Sequence, residues 1–143
     1  MQQNLLTVII PTFNDSQNIY RCLQSVFNQS FKDIEVIVIN DASTDYTLEI
    51  LETYRHNHHI KIINMPQNMG AGACRNRGIL EASSEYITFI DSDDWIDIGT
   101  YEKCFEQFKY NPDVIIYGLI YDYVEYNYRI KKYIYIFWQI FQK

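Results

Sequence analysis

An open α/β sheet, mostly parallel and covered by helices on both faces, is the fold this sequence predicts. Three observations predict it. Short β-branched runs alternate along the chain with stretches of helical periodicity, the pattern of strands joined by crossover helices. The runs are apolar at nearly every position rather than at every second one, as in strands buried on both faces. Polar clusters recur where the runs end, and parallel pairing brings all such ends to one edge.

Leu6 to Ile10 is apolar and β-branched and stops at Pro11, which predicts the first strand. Ile19, Cys22, Leu23, Val26 and Phe27 recur at i, i+3, i+4, i+7 and i+8, an amphipathic helix with Asp15 or Ser16 as its cap. Ile34 to Ile39 predicts the second strand. Leu48 and Leu51, with Tyr54 or Arg55, mark the inner face of a helix over 44–55. Ile60 to Ile63 predicts the third strand, and residues 71–82 a weakly amphipathic helix broken by glycine. Tyr86 to Ile90 predicts the fourth strand. Tyr101, Phe105 and Phe108 mark a further helix, and Val114 to Ile120, entered through Pro112-Asp113, a fifth strand. Right-handed crossovers between such strands make the sheet Rossmann-like. Residues 1–120 are expected to form this domain, and residues 121–143 an aromatic and basic extension carrying Arg129, Lys131 and Lys132.

The 143 residues can bury a core, with 48% apolar and 21% charged residues. A net charge of −6 argues against a nucleic-acid partner, which requires a basic surface. Cys22, Cys74 and Cys104 are odd in number and widely spaced, which disfavours a disulfide framework or zinc site and fits a reducing cytoplasm. Met1-Gln2-Gln3-Asn4 lacks the basic start of a signal peptide, and the apolar run Tyr133 to Phe141 is far too short to span a membrane.

Chemistry gathers at the expected strand ends: Pro11-Thr12-Phe13-Asn14-Asp15, Asn40 to Asp45, Met65 to Gly70, and above all Asp91-Ser92-Asp93-Asp94. Carboxylates crowded at the end of a buried strand repel one another, and a cation between them relieves the repulsion. A hard divalent ion with oxygen ligands, Mg²⁺ or Mn²⁺, suits them and commonly accompanies a phosphate-bearing substrate. An acidic turn or helix cap would use the same residues. Ser43 or Thr44 suits either a cap or a ligand contact, whereas Asp41, at a strand end, can accept hydrogen bonds from a base or ribose. Gly70-Ala71-Gly72-Ala73 allows close backbone approach at a helix start. Arg75, more than Arg77, is a candidate diphosphate contact beside it. His56, His58 and His59 lack helical ligand spacing and a nearby cysteine, so a metal role is disfavoured. Trp95 is a packing residue or the wall of a sugar site. A dehydrogenase is disfavoured because no Gly-x-Gly-x-x-Gly follows the first strand.

Four blocks carry a family resemblance: Val8 to Asn14 (VIIPTFN), Val38 to Asp45 (VINDASTD), Asn68 to Ile79 (NMGAGACRNRGI) and Phe89 to Trp95 (FIDSDDW). In order and spacing, over roughly residues 5 to 120, they resemble the nucleotide-binding half of a family 2 glycosyltransferase with the GT-A fold. The resemblance implies transfer of a sugar from a nucleotide-diphosphate donor, usually a UDP-sugar, to a glycan or lipid-linked acceptor. It implies that Pro11, Thr12, Phe13 and Asn14 form the loop holding the nucleotide, with Ser43, Gly70 and Ser92 beside them. It further implies that Asp41 hydrogen-bonds uracil and that Arg75 belongs to the nucleotide pocket. Asp91 and Asp93 match the Asp-x-Asp motif, Asp91 toward ribose and the metal, Asp93 toward the metal, Mn²⁺ or Mg²⁺. The setting implied is bacterial glycan assembly, lipopolysaccharide or capsule, in the cytoplasm or peripherally at the inner face of the membrane.

The family's general base is a carboxylate beyond the donor half, where it takes the acceptor's proton. Asp122 and Glu125 sit in no matching motif, so the base is unassigned. Residues 121–143 are accordingly expected to begin an acceptor region that is missing from a C-terminally truncated chain, with a complementary C-terminal half as a candidate partner. A nucleotide-sugar-binding or scaffold protein without the base is the alternative on the same fold.

Overall fold

The computed structural model describes residues 5–57 and 59–107 throughout and, beyond them, the backbone of residues 119–122, 129–132 and 138–139. Four strands, β1 (Leu6–Thr12), β2 (Ile34–Asn40), β3 (Ile60–Asn64) and β4 (Tyr86–Phe89), pair in parallel in the order β3-β2-β1-β4. A short strand, β7 (Trp138–Gln139), lies antiparallel along β4, with Ile87 opposite Trp138. The helices α1 (Ile19–Phe27), α2 (Thr47–Glu52), α3 (Ala71–Glu81) and α4 (Thr100–Phe105) fall between or after the strands as the periodicities require.

Strand parity sorts the core into two layers. Leu6, Val8 and Ile10 of β1, with Val36 and Val38 of β2, pack against Ile19, Cys22, Leu23 and Val26 of α1, Leu51 of α2, and Tyr101 and Cys104 of α4. Ile9, Ile37 and Ile39 point the other way, toward Cys74 on the α3 face. Helix α3 lacks a strong apolar stripe because it packs through small residues. A Cβ on Gly78 would lie 2.4 Å from Cγ2 of the fully buried Ile9, so glycine sets the close approach of helix and sheet.

Three local expectations are corrected. Pro11 does not end β1, which continues to Thr12. The Ile9 carbonyl accepts from Ile90 N–H and the Thr12 carbonyl from Asp41 N–H, so alternation puts the Pro11 nitrogen on the β4 side. Strand pairing there has ended at Phe89, and the missing donor breaks no ladder bond. Helix α1 is not capped by a side chain of Asp15 or Ser16; Asn18 is its N-cap, and the Asp15 carbonyl accepts from the N–H groups of Asn18 and Ile19. Helix α2 is shorter than 44–55, because Asn14 Oδ1 takes the N–H of Thr44, and Asp45 Oδ1 accepts from both N–H and Oγ1 of Thr47.

The expected fifth strand over 114–120 is described only at Leu119 and Ile120. They belong to β5 (Leu119–Asp122), which pairs antiparallel with β6 (Arg129–Lys132) in a separate two-stranded sheet. Phe108, expected on the last helix, lies outside the described residues, as do the basic and aromatic side chains of the extension.

Candidate functional site

Parallel pairing places the ends of β1, β2 and β4 beside the start of α3, and an open hollow of about 210 Å³ lies between them. Pro11, Thr12 and Phe13 line it from β1, Asp41 from β2, Ala71, Cys74 and Arg75 from α3, and Asp91, Ser92 and Asp93 from the loop after β4. Three of the four expected polar clusters thus contribute directly. The fourth, between β3 and α3, enters through the backbone of Met69 and Gly70, while Asn14, Ser43 and Gly70 build the walls without lining the hollow.

Asp41 organises one half. Its carboxylate is buried, with Oδ1 accepting from Met69 N–H at 2.8 Å and Oδ2 from Gly70 N–H at 2.7 Å. The bonds draw the β3–α3 loop onto the end of β2. They use one lone pair on each oxygen, so acceptor capacity toward the hollow remains. Gly70 sits at φ +84°, a conformation glycine adopts at little cost, and opens α3. Burial, and then Asp41, push the neighbouring Cys74 thiol up to about 11.

The loops after β1 and β2 are tied together. Asn14 N–H donates to Ser43 Oγ at 3.0 Å, Thr44 N–H to Asn14 Oδ1 at 2.7 Å, Asp15 N–H to Thr47 Oγ1 at 2.9 Å, and Ser16 N–H to Asp45 Oδ2 at 3.0 Å. Burial alone would raise the Asp45 pKa, but hydrogen bonds from Thr47 and Ser16 hold it at about 2. Ser43 and Thr44 are therefore ties between loops, and neither caps α2. Asn14 (φ +49°) and Ala42 (φ +59°) hold left-handed backbone here, a cost that side-chain ties of this kind offset. Within this frame Thr12 is 3% exposed, and its Oγ1 is buried with no hydrogen-bond partner among the described residues.

The acidic half is crowded. Asp91 is ion-paired with Arg75, Ser92 is buried, and Asp93 is exposed at the rim. The turn is closed by Asp94 N–H donating to the Asp91 carbonyl at 3.0 Å. Burial, then the charges of Asp93 and Asp91, raise the Asp94 pKa against the opposing pull of Arg21. The same carboxylates add to burial in pushing Cys22 beneath them up to about 12. Arg77 turns away and pairs with Glu81 at 2.6 Å. His56 and His59 are exposed, and His58 lies outside the described residues. Among the described residues no group of three or more His, Cys, Asp and Glu side chains forms a metal cage by itself. Two contributors had no functional expectation attached: Cys74, in the wall of the hollow, and Arg21, whose guanidinium donates to the Asp93 carbonyl and lies 4.1 Å over the Trp95 ring.

The sequence model of the family described as "Glycosyl transferase family 2" matches residues 7–143. The chain is 36% identical over 112 residues to a glycosyltransferase, GlyA, of Streptococcus pneumoniae serotype 4, covering 78% of this chain and 16% of that protein. It is 34% identical over 107 residues to poly-beta-1,6-N-acetyl-D-glucosamine synthase of Staphylococcus epidermidis, covering 75% and 26%. The crystal structure of S. aureus TarS 1–349 in complex with UDP-GlcNAc superposes with a TM-score of 0.73 at 35% identity, covering 77% of this chain and 33% of that one. The chain thus spans about a third or less of each of these three.

Proposed function

The chain belongs to glycosyl transferase family 2, with the GT-A fold, and from that membership we propose that its strand-end hollow holds the nucleotide diphosphate of a UDP-sugar, for sugar transfer to a glycan or lipid-linked acceptor. The observation that carries the proposal is convergence. Thr12, Asp41, Arg75, Asp91 and Asp93, scattered over some eighty positions of sequence, line a single hollow. At about 210 Å³ it is smaller than the roughly 300–1,000 Å³ of sites for drug-sized ligands, so it takes part of the nucleotide, and the remainder with the sugar extends over its open rim.

Thr12 Oγ1 and the outward lone pairs of Asp41 orient uracil and ribose, supported by Pro11, Phe13 and the loop ties of Asn14 and Ser43. Arg75 meets the diphosphate while compensating Asp91, and the small residues Gly70 and Ala71 let the ligand approach the start of α3. The donor set also fits a hard divalent ion. Mg²⁺ and ions like it are commonly held by one or two carboxylates together with substrate phosphates and water, so a protein-only cage is not needed. Asp93, with Asp91 beside it and Ser92 between them, would hold Mn²⁺ or Mg²⁺. Such an ion, when bound, neutralises charge on the departing UDP. Trp95, half-exposed beside the tetrad, walls the sugar.

Similarity to TarS, crystallised with UDP-GlcNAc, and to a poly-N-acetylglucosamine synthase supports a UDP-sugar donor and bacterial glycan synthesis as the setting. No helix among the described residues is long and apolar enough to cross a membrane. Peripheral association with the inner face of the membrane is part of the proposal, and vesicle co-sedimentation tests it. Calorimetric titration of UDP, with and without Mn²⁺, tests the site. Micromolar binding strengthened by metal is expected, and absence of binding under both conditions overturns the proposal. Release of UDP from UDP-GlcNAc and other UDP-sugars then distinguishes a transferase from a protein that only binds the donor.

A further inference from the structure

We infer that α1 is the positioning element of the acidic loop. A polar stripe at i, i+4 and i+8, formed by Arg21 and Ser25 of α1 and by Gln29 just past its C-cap Asn28, holds the main chain that carries Asp91, Ser92 and Asp93 in register with the hollow. This inference rests on the proposal that the acidic loop binds a divalent ion with the diphosphate.

The stripe runs beside the apolar one that packs on the sheet. Its members bond to backbone groups spread from Asp93 to Tyr101. Arg21 Nη2 donates to the Asp93 carbonyl at 2.9 Å, and its guanidinium stacks on Trp95. Ser25 Oγ donates to the Cys22 carbonyl at 2.7 Å, which turns its lone pairs outward to accept the N–H of Ile96 at 3.2 Å. Gln29, 1% exposed, donates through Nε2 to the carbonyls of Ser25 (3.1 Å) and Asp97 (2.9 Å) and accepts Tyr101 N–H at Oε1 (3.3 Å). The Cys22 thiol adds a weak contact to the Asp91 carbonyl at 3.7 Å.

A loop in which three carboxylates fall within four residues tends to spread apart, a tendency that the Asp94 N–H bond to the Asp91 carbonyl opposes only locally. The stripe resists it through the backbone. Arg21 meets the carbonyl of Asp93, so this guanidinium hydrogen bond does not consume the carboxylate of that residue. Geometry is what a divalent ion demands: near-ideal octahedral placement of a small number of oxygens, which a wandering loop cannot supply.

The test compares the 143-residue chain with Ser25→Ala, Ser25→Thr and Arg21→Ala. Three quantities are read: hydrogen exchange at the Ile96 amide, UDP affinity without metal, and the gain in UDP affinity on adding Mn²⁺. Thermal melts establish that each variant is folded. Ser25→Ala is expected to lose about tenfold of the exchange protection at Ile96 and about tenfold of the Mn²⁺ gain, the scale of one lost hydrogen bond, with metal-free UDP binding unchanged. Arg21→Ala is expected to reduce the Mn²⁺ gain similarly, and Ser25→Thr, which keeps the hydroxyl, to restore both quantities. A wild-type chain that gains nothing from Mn²⁺ would remove the premise and the inference together. A wild-type gain that both alanine variants retain, or that falls only in proportion to metal-free binding, overturns the inference alone.

Discussion

Replacing Asp41 by asparagine exchanges one carboxylate oxygen for an amide group of nearly the same size, in a place where both oxygens are in use. The native carboxylate accepts from Met69 N–H and Gly70 N–H at 2.8 and 2.7 Å while almost wholly buried. Hydrogen bonds to a charged acceptor contribute about 1.5–3 kcal/mol each, and neutral ones about 1 kcal/mol. Asparagine keeps one acceptor, so one bond weakens by about 1 kcal/mol. Its amide nitrogen then faces a second backbone donor, and leaving that donor unsatisfied costs about 1–3 kcal/mol. Asp41→Asn should therefore destabilise the fold by about 2–4 kcal/mol. At roughly 3 °C per kcal/mol for a chain of this size, the melting temperature falls by about 6–12 °C. Urea unfolding followed by circular dichroism measures the change, with the m-value held constant so that the shift in midpoint reports stability. A loss below about 0.5 kcal/mol, the range of an ordinary surface substitution, would refute the argument that this carboxylate gathers the β3–α3 loop onto β2.

Three further outcomes follow from the geometry. Gly78→Ala should cost up to about 2 kcal/mol in urea unfolding, because overpacking against Ile9 (about 1–3 kcal/mol) is at least as large as the gain of roughly 1 kcal/mol from alanine in a helix; a clearly stabilised variant would show that α3 can shift. Ala42→Gly should stabilise by about 0.5 kcal/mol, since relief of left-handed backbone at φ +59° outweighs the added freedom of the unfolded chain, and a lowered midpoint would contradict this. Asp45, held at about 2 against an ordinary 3.8, contributes stability that is complete above 3.8, where the carboxylate is ionised in both states. As pH falls from 3.8 toward 2 the unfolded chain takes up the proton first, so the advantage of wild type over Asp45→Asn should shrink across that window; a constant difference would contradict the sign.

The strands and the convergence of their ends could be read from the chain because they depend on local apolar runs and on a topological rule that needs no side-chain detail. The apolar face of α1 was legible for the same reason. What stayed hidden depends on partners distant in sequence. Pro11 reads as a strand end until the end of β4 at Phe89 is known. Ser43 and Thr44 read as helix caps or ligand contacts because the competing partner, Asn14, lies some thirty positions away. Asp41 reads as a ligand contact, whereas its first bonds go to the backbone at Met69 and Gly70. Arg21, Ser25 and Gln29 recur at i, i+4 and i+8, but polar residues at that spacing are ordinarily a solvated face. Only the loop packed on it gives the stripe a purpose.

The most direct test of the central claim is an amide NMR titration of the ¹⁵N-labelled chain with UDP and Mg²⁺. Binding in the strand-end hollow predicts shifts concentrated at Thr12, Phe13, Asp41, Ala71, Arg75 and Asp91 to Asp93, with the amides around Glu35 and Ser83, at the opposite edge of the sheet, unmoved. Shifts centred on that opposite edge, or none at saturating nucleotide, would contradict it.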